Sequence, residues 1–314
     1  MSGLALIMVD RGYSVSGSDN SPTKRLKELA EQGIKVFPDQ SARNAACLSQ
    51  ETEKTVIAVI SSAIPDQNPE LKLFKKNGVK VWHRSDLLAE LINYQNSIAI
   101  AGSHGKTTTS TFLTTFLKFS GEDPTAIIGG KVPCLKSNAY SGQGKLIIAE
   151  ADESDGSLIK LKASLGIITN IELDHTDYYK DLDALIATMR NFAENSKELL
   201  VNYDCEIIKK YFPECNSWSI KTIKGISFAA IPKNIYGHKI EAIIYEKEKN
   251  IGEITIPIPG LHNLSNAIAA IAACRLKGIE FEQIKTIIPN LKTPDRRFDF
   301  RGIWEGRYIV DDYA

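Results

Sequence analysis

Ala99-Ile100-Ala101-Gly102-Ser103-His104-Gly105-Lys106-Thr107-Thr108-Thr109 runs from an apolar strand into a glycine turn, and from the turn into a helix opening on Gly-Lys-Thr. Glycines in such a turn let backbone N–H groups close on phosphate oxygens, and the positive end of the helix dipole faces the same point. Lys106 is expected to reach the β- and γ-phosphates of a nucleotide and Thr107 to offer its hydroxyl to Mg²⁺. Gly102, Ser103, His104, Gly105 and Thr108 form the rest of the candidate phosphate cradle. The spacing departs from the full G-x-x-x-x-G-K-[ST] pattern, because Ile100 stands where its first glycine belongs. A chance Gly-Lys-Thr is common, but one set between a strand and a helix is not. The stretch predicts a nucleotide-binding α/β sheet.

The α/β alternation extends to both sides of this loop. Upstream, Leu4–Val9 reads as a helix, Tyr13–Asp19 as a short strand ending in a carboxylate, Lys24–Gln32 as a helix and Ile34–Phe37 as a strand. Helix, strand and terminal acid form the second half of a Rossmann-type unit, in which the acid, here Asp19, often meets a ribose hydroxyl. Thr55–Ile60 is a continuous β-branched run and predicts a strand buried on both faces. Asn68–Lys76, Val79–Trp82 and Ser85–Leu91 continue as helix, strand and helix, and the polar break Asn93–Asn96 suggests a domain boundary. Downstream, strands are expected at Ser97–Ala101, Lys145–Glu150, Leu165–Asn170 and Glu198–Val201, with helices at Thr107–Phe119 and Asp181–Asn195. Residues 218–258 look β-rich, with strands at Ile240–Tyr245 and Ile254–Ile258. A helix follows at Asn263–Leu276, and Tyr308-Ile309-Val310 reads as a further strand.

Composition narrows the functional classes. The 314 residues carry 38 basic and 38 acidic side chains, with 43% hydrophobic and 24% charged residues, as in ordinary globular proteins. Zero net charge argues against a broad nucleic-acid surface. No run approaches the roughly 18 apolar residues of a membrane span. Five scattered cysteines (47, 134, 205, 215 and 274), odd in number and never in C-x-x-C spacing, read as reduced thiols of a cytoplasmic protein.

Three further motifs follow strand ends or open helices. Glu150-Ala151-Asp152-Glu153-Ser154-Asp155 places four carboxylates after an apolar strand, where α/β proteins bind ligands. Glu150, at the strand end, is the best metal candidate, since Mg²⁺ takes one or two carboxylates beside phosphates. Asp152, Glu153 and Asp155 read equally well as a solvated acidic loop. Asn170-Ile171-Glu172-Leu173-Asp174-His175 again follows an apolar strand. Three of the five histidines, His104, His175 and His262, fall in such motifs, which moves them modestly toward a site. Pro259-Gly260-Leu261-His262-Asn263 ends a strand and caps a helix; Asn263 could equally present its amide to a nucleobase. Arg296-Arg297 places two guanidiniums on a link, suited to clamping a phosphoryl group.

Together Gly102–Thr108, Glu150, Asn170–His175, Gly260–Ala267 and Arg296-Arg297-Phe298 resemble the Mur ligase family, ATP-dependent amide-forming enzymes of peptidoglycan synthesis, over essentially the whole chain. Ala151–Ser157, Ser16–Asp19, Ser61-Ser62-Ala63-Ile64 and Asn68-Pro69-Glu70 are similar to the branch that adds L-alanine to UDP-N-acetylmuramate. Ser103 replaces a more usual threonine. The resemblance implies an incomplete Rossmann-like UDP-sugar domain over 1–95, lacking the first strand and glycine-rich loop. It implies a P-loop-type ATP domain over 96–293, with a mostly parallel sheet and a small β-rich part, and the truncated start of a third α/β domain over 294–314.

It also implies a chemistry. The carboxylate of UDP-N-acetylmuramate attacks the γ-phosphate of ATP, and L-alanine then attacks the acyl phosphate. Lys106, Glu150, His175 and Arg297 would be catalytic, and Thr107, Glu150 and His175 would hold Mg²⁺. Asn263 and Arg296 would join the loop in binding ATP, while Asp19, Ser61, Ser62 and Asn170 would meet substrate. A related ligase adding a preformed peptide, or a chain that binds ATP without ligation, are the alternatives.

Overall fold

The computed structural model divides the chain into two compact units, Met1–Leu91 and Ile92–Ala314. It describes residues 1–21, 23–49, 55–93, 95–295 and 299–312.

The first unit runs α1 (Ser2–Asp10), β1 (Ser16–Ser18), α2 (Lys24–Glu31), β2 (Lys35–Phe37), α3 (Ala42–Ser49), β3 (Ile57–Ile60), α4 (Pro69–Lys76), β4 (Lys80–His83) and α5 (Arg84–Asn93). Two parallel ladders, β1 with β2 and β3 with β4, carry it. Leu6, Leu29 and Ile34 bury a small core between the first two helices and β2. Local chemistry sets α4 closely. Asn68 Oδ1 accepts from Leu71 N at 3.1 Å, Pro69 opens the first turn, Glu70 follows it, and Lys75 and Lys76 close the last. The expectation of a strand buried on both faces over Thr55–Ile60 is corrected. In β3 only Ala58 is buried, and Ile57 is 38% exposed; among the described residues the strand pairs with β4 alone, so it is no central strand of a large sheet.

The second unit is built on one ten-stranded sheet. Its strands are β5 (Asn96–Ala101), β6 (Thr125–Val132), β7 (Ser137–Tyr140), β8 (Leu146–Glu150), β9 (Leu165–Ile168), β10 (Glu198–Asn202), β11 (Asn216–Ser219), β12 (Phe228–Ile235), β13 (Ile240–Glu246) and β14 (Lys249–Ile256). Their spatial order is β14-β13-β12-β11-β10-β9-β5-β8-β6-β7. Pairing is parallel from β12 through β6, and antiparallel for β12–β13, β13–β14 and β6–β7. The connecting helices are α6 (Lys106–Phe119), α7 (Leu182–Asn195), α8 (Glu206–Tyr211), α9 (Leu261–Leu276) and α10 (Phe281–Ile287). Central strands are apolar on both faces, as parallel strands covered by helices must be: Ile98, Ala99, Ile100, Ile148, Ile167 and Ile168 are fully buried. In α9 every residue from Ala267 to Cys274 is fully buried, which fits a helix apolar all round and lodged in the core. Its alanines let it lie close to α6.

A final antiparallel pair, β15 (Asp299–Trp304) with β16 (Arg307–Asp311), contains the strand expected at Tyr308–Val310. Among the described residues no helix is long and apolar enough to cross a membrane.

Candidate functional site

Strand order explains why distant motifs meet. β5 lies between β8 and β9, with Ile100 opposite Glu150 and Ala101 opposite Ile168. The chain leaves β5, builds β6, β7 and β8 on one side, then crosses to β9 on the other. Open α/β sheets bind ligands at such a reversal, outside the carboxyl ends of the strands. The loop after β5 and the segment after β9 therefore border one cleft of about 900 Å³, and Glu150, ending β8, meets Thr107 of the helix that the loop opens.

The loop is held from the β9 side. Gly102 has φ +128°, and a Cβ there would overlap Thr169 Oγ1 and come within 3.0 Å of the Asn170 backbone, so only glycine fits. Thr169 Oγ1 donates to the carbonyls of His104 at 2.6 Å and Ala101 at 3.2 Å. Asn170 answers both backbone groups of His104: its Oδ1 accepts from His104 N at 2.9 Å, and its Nδ2 donates to His104 O at 3.0 Å. Ser103 Oγ donates to Glu172 O at 2.8 Å and accepts from Glu172 N at 3.0 Å. The hydroxyl, and not the extra methyl of a threonine, makes these bonds. Gly105, at φ +82°, leads into α6, and a Cβ there would lie 2.6 Å from Asn266 Oδ1. Thus α9 backs the loop from the other side.

Lys106 Nζ donates to Gly102 O and to Glu153 Oε1, both at 2.6 Å, with Ser103 O at 3.5 Å. The solvated-loop reading is corrected for Glu153, whose side chain is only 1% exposed. Its backbone carbonyl accepts from Tyr179 Oη at 2.6 Å, and burial pushes the Tyr179 phenol up to about 12. His175 Nε2 lies 3.6 Å from the same Glu153 oxygen. No local pattern distinguishes Glu153 among four neighbouring acids, since its partner is 47 residues away. Asp152 and Asp155 do behave as turn residues, accepting from the N–H groups of Ser154 and Ser157.

Glu150 accepts from Gly129 N at 2.8 Å and from Thr107 Oγ1 at 3.1 Å. Burial raises the pKa of its carboxyl above the usual range, while those two donors pull the other way. An anion in that position gains from a cation beside it. Among the described residues no three His, Cys, Asp or Glu side chains form a metal cage. The structure joins Thr107 to Glu150 directly, and His175 to Lys106 through Glu153.

The far end of the cleft is bordered by Asn202, Asp204, Trp218, His262 and Asn263. Asn263 is nearly fully buried and gives an amide hydrogen to Pro259 O at 2.7 Å; the capping read from the sequence is corrected, because the cap position is Gly260 and no side chain accepts from the helix's first N–H groups. Asp204 binds Ser219 Oγ and Ile220 N, which fixes this wall. Asp19, Ser61 and Ser62 belong to the first unit. Asp19 Oδ1 accepts from Ser21 N at 2.9 Å just past β1, and Ser62 Oγ stands 3.1 Å from His83 Nε2. Arg296 and Arg297 lie outside the described residues.

Comparison with known proteins bears on the family and the fold. Residues 100–274 match the Mur ligase middle domain, and residues 1–96 match the profile described as Mur ligase family, catalytic domain. The UDP-N-acetylmuramate–L-alanine ligase of Prochlorococcus marinus (strain MIT 9313) is 56% identical over 314 residues, which is 100% of this chain and 64% of that protein. The chain thus spans a little under two thirds of that relative's length. The crystal structure of UDP-N-acetylmuramate-alanine ligase from Thermotoga maritima superposes with a TM-score of 0.84 at 24% identity, covering 100% of this chain and 71% of that one. The UDP-N-acetylmuramate:L-alanyl-gamma-D-glutamyl-meso-diaminopimelate ligase from Neisseria meningitides gives 0.83 at 22% identity, covering 94% and 96%. With a family profile matching more than half of its length around the phosphate loop, the chain belongs to the Mur ligase family.

Proposed function

We propose that the second unit binds ATP in the cleft at the β5 switch point, and that the chain serves the joining of L-alanine to the lactyl carboxylate of UDP-N-acetylmuramate in peptidoglycan precursor synthesis. The observation that carries this reading is 56% identity, over all 314 residues, to a ligase of that name. A cytoplasmic setting goes with soluble nucleotide substrates.

The residues suit phosphoryl transfer, which needs positioning and charge neutralisation more than covalent help from the protein. Loop amides from Gly102 to Thr108 cradle the phosphates, and the Lys106 ammonium meets the β- and γ-oxygens. Thr107 and Glu150 offer hard oxygen donors, already 3.1 Å apart, that fit Mg²⁺ completed by phosphate oxygens, with His175 as a third candidate. Bound there, Mg²⁺ supplies charge neutralisation to the transferring phosphoryl group. The substrate carboxylate attacks the γ-phosphorus as the bond to the β-phosphate oxygen breaks, releasing ADP. The amine of L-alanine then attacks the acyl carbon, phosphate leaves and the amine proton is lost. Arg297 and Arg296 steady the phosphoryl group, Asn263 meets the adenine, Asn170 orders the loop beside the substrate, and Asp19, Ser61 and Ser62 engage the uridine nucleotide.

The fold does not separate alanine from peptide addition, because ligases of both kinds superpose at 0.84 and 0.83. Sequence identity favours alanine. The test is phosphate release from ATP in the presence of UDP-N-acetylmuramate with either L-alanine or the tripeptide L-alanyl-γ-D-glutamyl-meso-diaminopimelate. Release and amide formation requiring L-alanine support the proposal; release with the tripeptide alone overturns it.

A further inference from the structure

A phosphate-binding lysine whose ammonium is already taken must exchange partners before it can serve. Lys106 is in that condition. Its three N–H donors point at Gly102 O, Glu153 Oε1 and, more weakly, Ser103 O. The Lys106 and Glu153 side chains are 17% and 1% exposed, so water offers the pair little competition.

We propose that Glu153 is an internal stand-in for a nucleotide phosphate: it holds Lys106 until a nucleotide binds, and an arriving phosphate must displace it. This rests on the reading of Lys106 as a phosphate ligand. Glu153 is then a positioning residue, acting through Lys106. Two features of the carboxylate support exchange over a permanent pair. Glu153 Oε2 is buried and has no hydrogen-bond partner, a condition shared among the described side chains only by the hydroxyls of Thr111 and Thr114. Buried acceptors left open are rare and costly, so this pair sits short of the best arrangement open to a carboxylate. In addition, the Tyr179 hydroxyl pins the Glu153 backbone, so the acid cannot follow the lysine toward a ligand. Lys106 has to leave Glu153 to reach one.

Neutralising Glu153 removes a competitor for Lys106 and also an anion beside the incoming phosphates. Both effects have the same sign. In Glu153→Gln an amide oxygen still accepts from Lys106 at unchanged size, but the charge is gone. ATP affinity should rise about tenfold, equivalent to about 1.4 kcal/mol. Adenosine, which has no phosphate, should bind unchanged. Glu153→Asp keeps the charge but shortens the reach, and should give a smaller gain.

The experiment is calorimetric titration of the 314-residue chain and both variants with ATP, and separately with adenosine, in EDTA so that no divalent cation intervenes. The expected order of ATP affinity is Gln above Asp above the parent, with adenosine flat. Unchanged or weakened ATP binding in Glu153→Gln, or an equal gain for adenosine, overturns the proposal. A Lys106→Gln, Glu153→Gln double variant separates the two ideas. If it binds ATP as well as Glu153→Gln alone, Lys106 is no phosphate ligand and the underlying reading falls. If it loses ATP affinity while Glu153→Gln shows no gain, the phosphate reading stands and the exchange is wrong.

Discussion

Gly102→Ala tests the loop geometry in stability alone. At φ +128° the new side chain is strained whatever the space around it, and its Cβ would also overlap Thr169 Oγ1. Gly225→Ala is the matched control: φ is +71° there, and a Cβ would meet nothing within 4 Å. Backbone strain is about 1–2 kcal/mol at Gly225, near the left-handed α region, and no smaller at φ +128°, outside that region, so subtracting the control leaves a lower bound. What remains for Gly102→Ala is relief of the overlap, about 1–3 kcal/mol, and loss of the Thr169 hydrogen bond to the His104 and Ala101 carbonyls, about 1 kcal/mol. Gly102→Ala should therefore cost about 2–4 kcal/mol more than the control. Urea denaturation reads this through Trp218, which is buried in the second unit, in a background with Trp82 and Trp304 changed to Phe. Equal costs for the two alanines would refute the claim that Thr169 and Asn170 close on the loop.

Two other outcomes follow from the same geometry. Asp123 accepts from Gln143 N, Lys118 Nζ and Tyr140 Oη, which lower its carboxyl from 3.8 to about 2. The folded chain therefore holds this proton less tightly than the unfolded one, so the stabilisation is present above pH 3.8 and fades as pH falls toward 2. The stability gap between the parent and Asp123→Asn should close over that interval in acid urea titrations; a gap that widens would contradict it. Asn170→Ala leaves the His104 amide without its side-chain acceptor, and ATP affinity should drop about tenfold by calorimetry. An unchanged affinity would show that the loop keeps its shape without that amide.

Much of this architecture is legible in the residues because local chemistry dictates it. The strand Asn96–Ala101, the glycine turn and the helix from Lys106 follow from apolar run, φ-permissive glycine and dipole. The capped helix after Asn68 and the buried α9 follow from equally local signals. Strand order is different. Nothing along the chain says that β5 lies between β8 and β9, because that depends on ladder pairing between segments about fifty or more residues apart. The strands Thr125–Val132 and Ser137–Tyr140 do not show in the sequence pattern, since glycines and polar residues interrupt their alternation. The short helices α8 and α10 have about two turns or fewer and show no period. At the site, Lys106, Thr107 and Glu150 are readable as strand-end and helix-start residues. Glu153 is not, because an acid in a Ser-Asp-Gly context looks solvated until its distant lysine is known.

The most direct measurement is a crystal structure of the chain with a non-hydrolysable ATP analogue and Mg²⁺. The account predicts the triphosphate on the amides between Gly102 and Thr108, Lys106 Nζ turned from Glu153 to the phosphate oxygens, and the metal beside Thr107 and Glu150. Density for the nucleotide away from the β5 switch point, or Lys106 still seated on Glu153 with the phosphates bound, would contradict it.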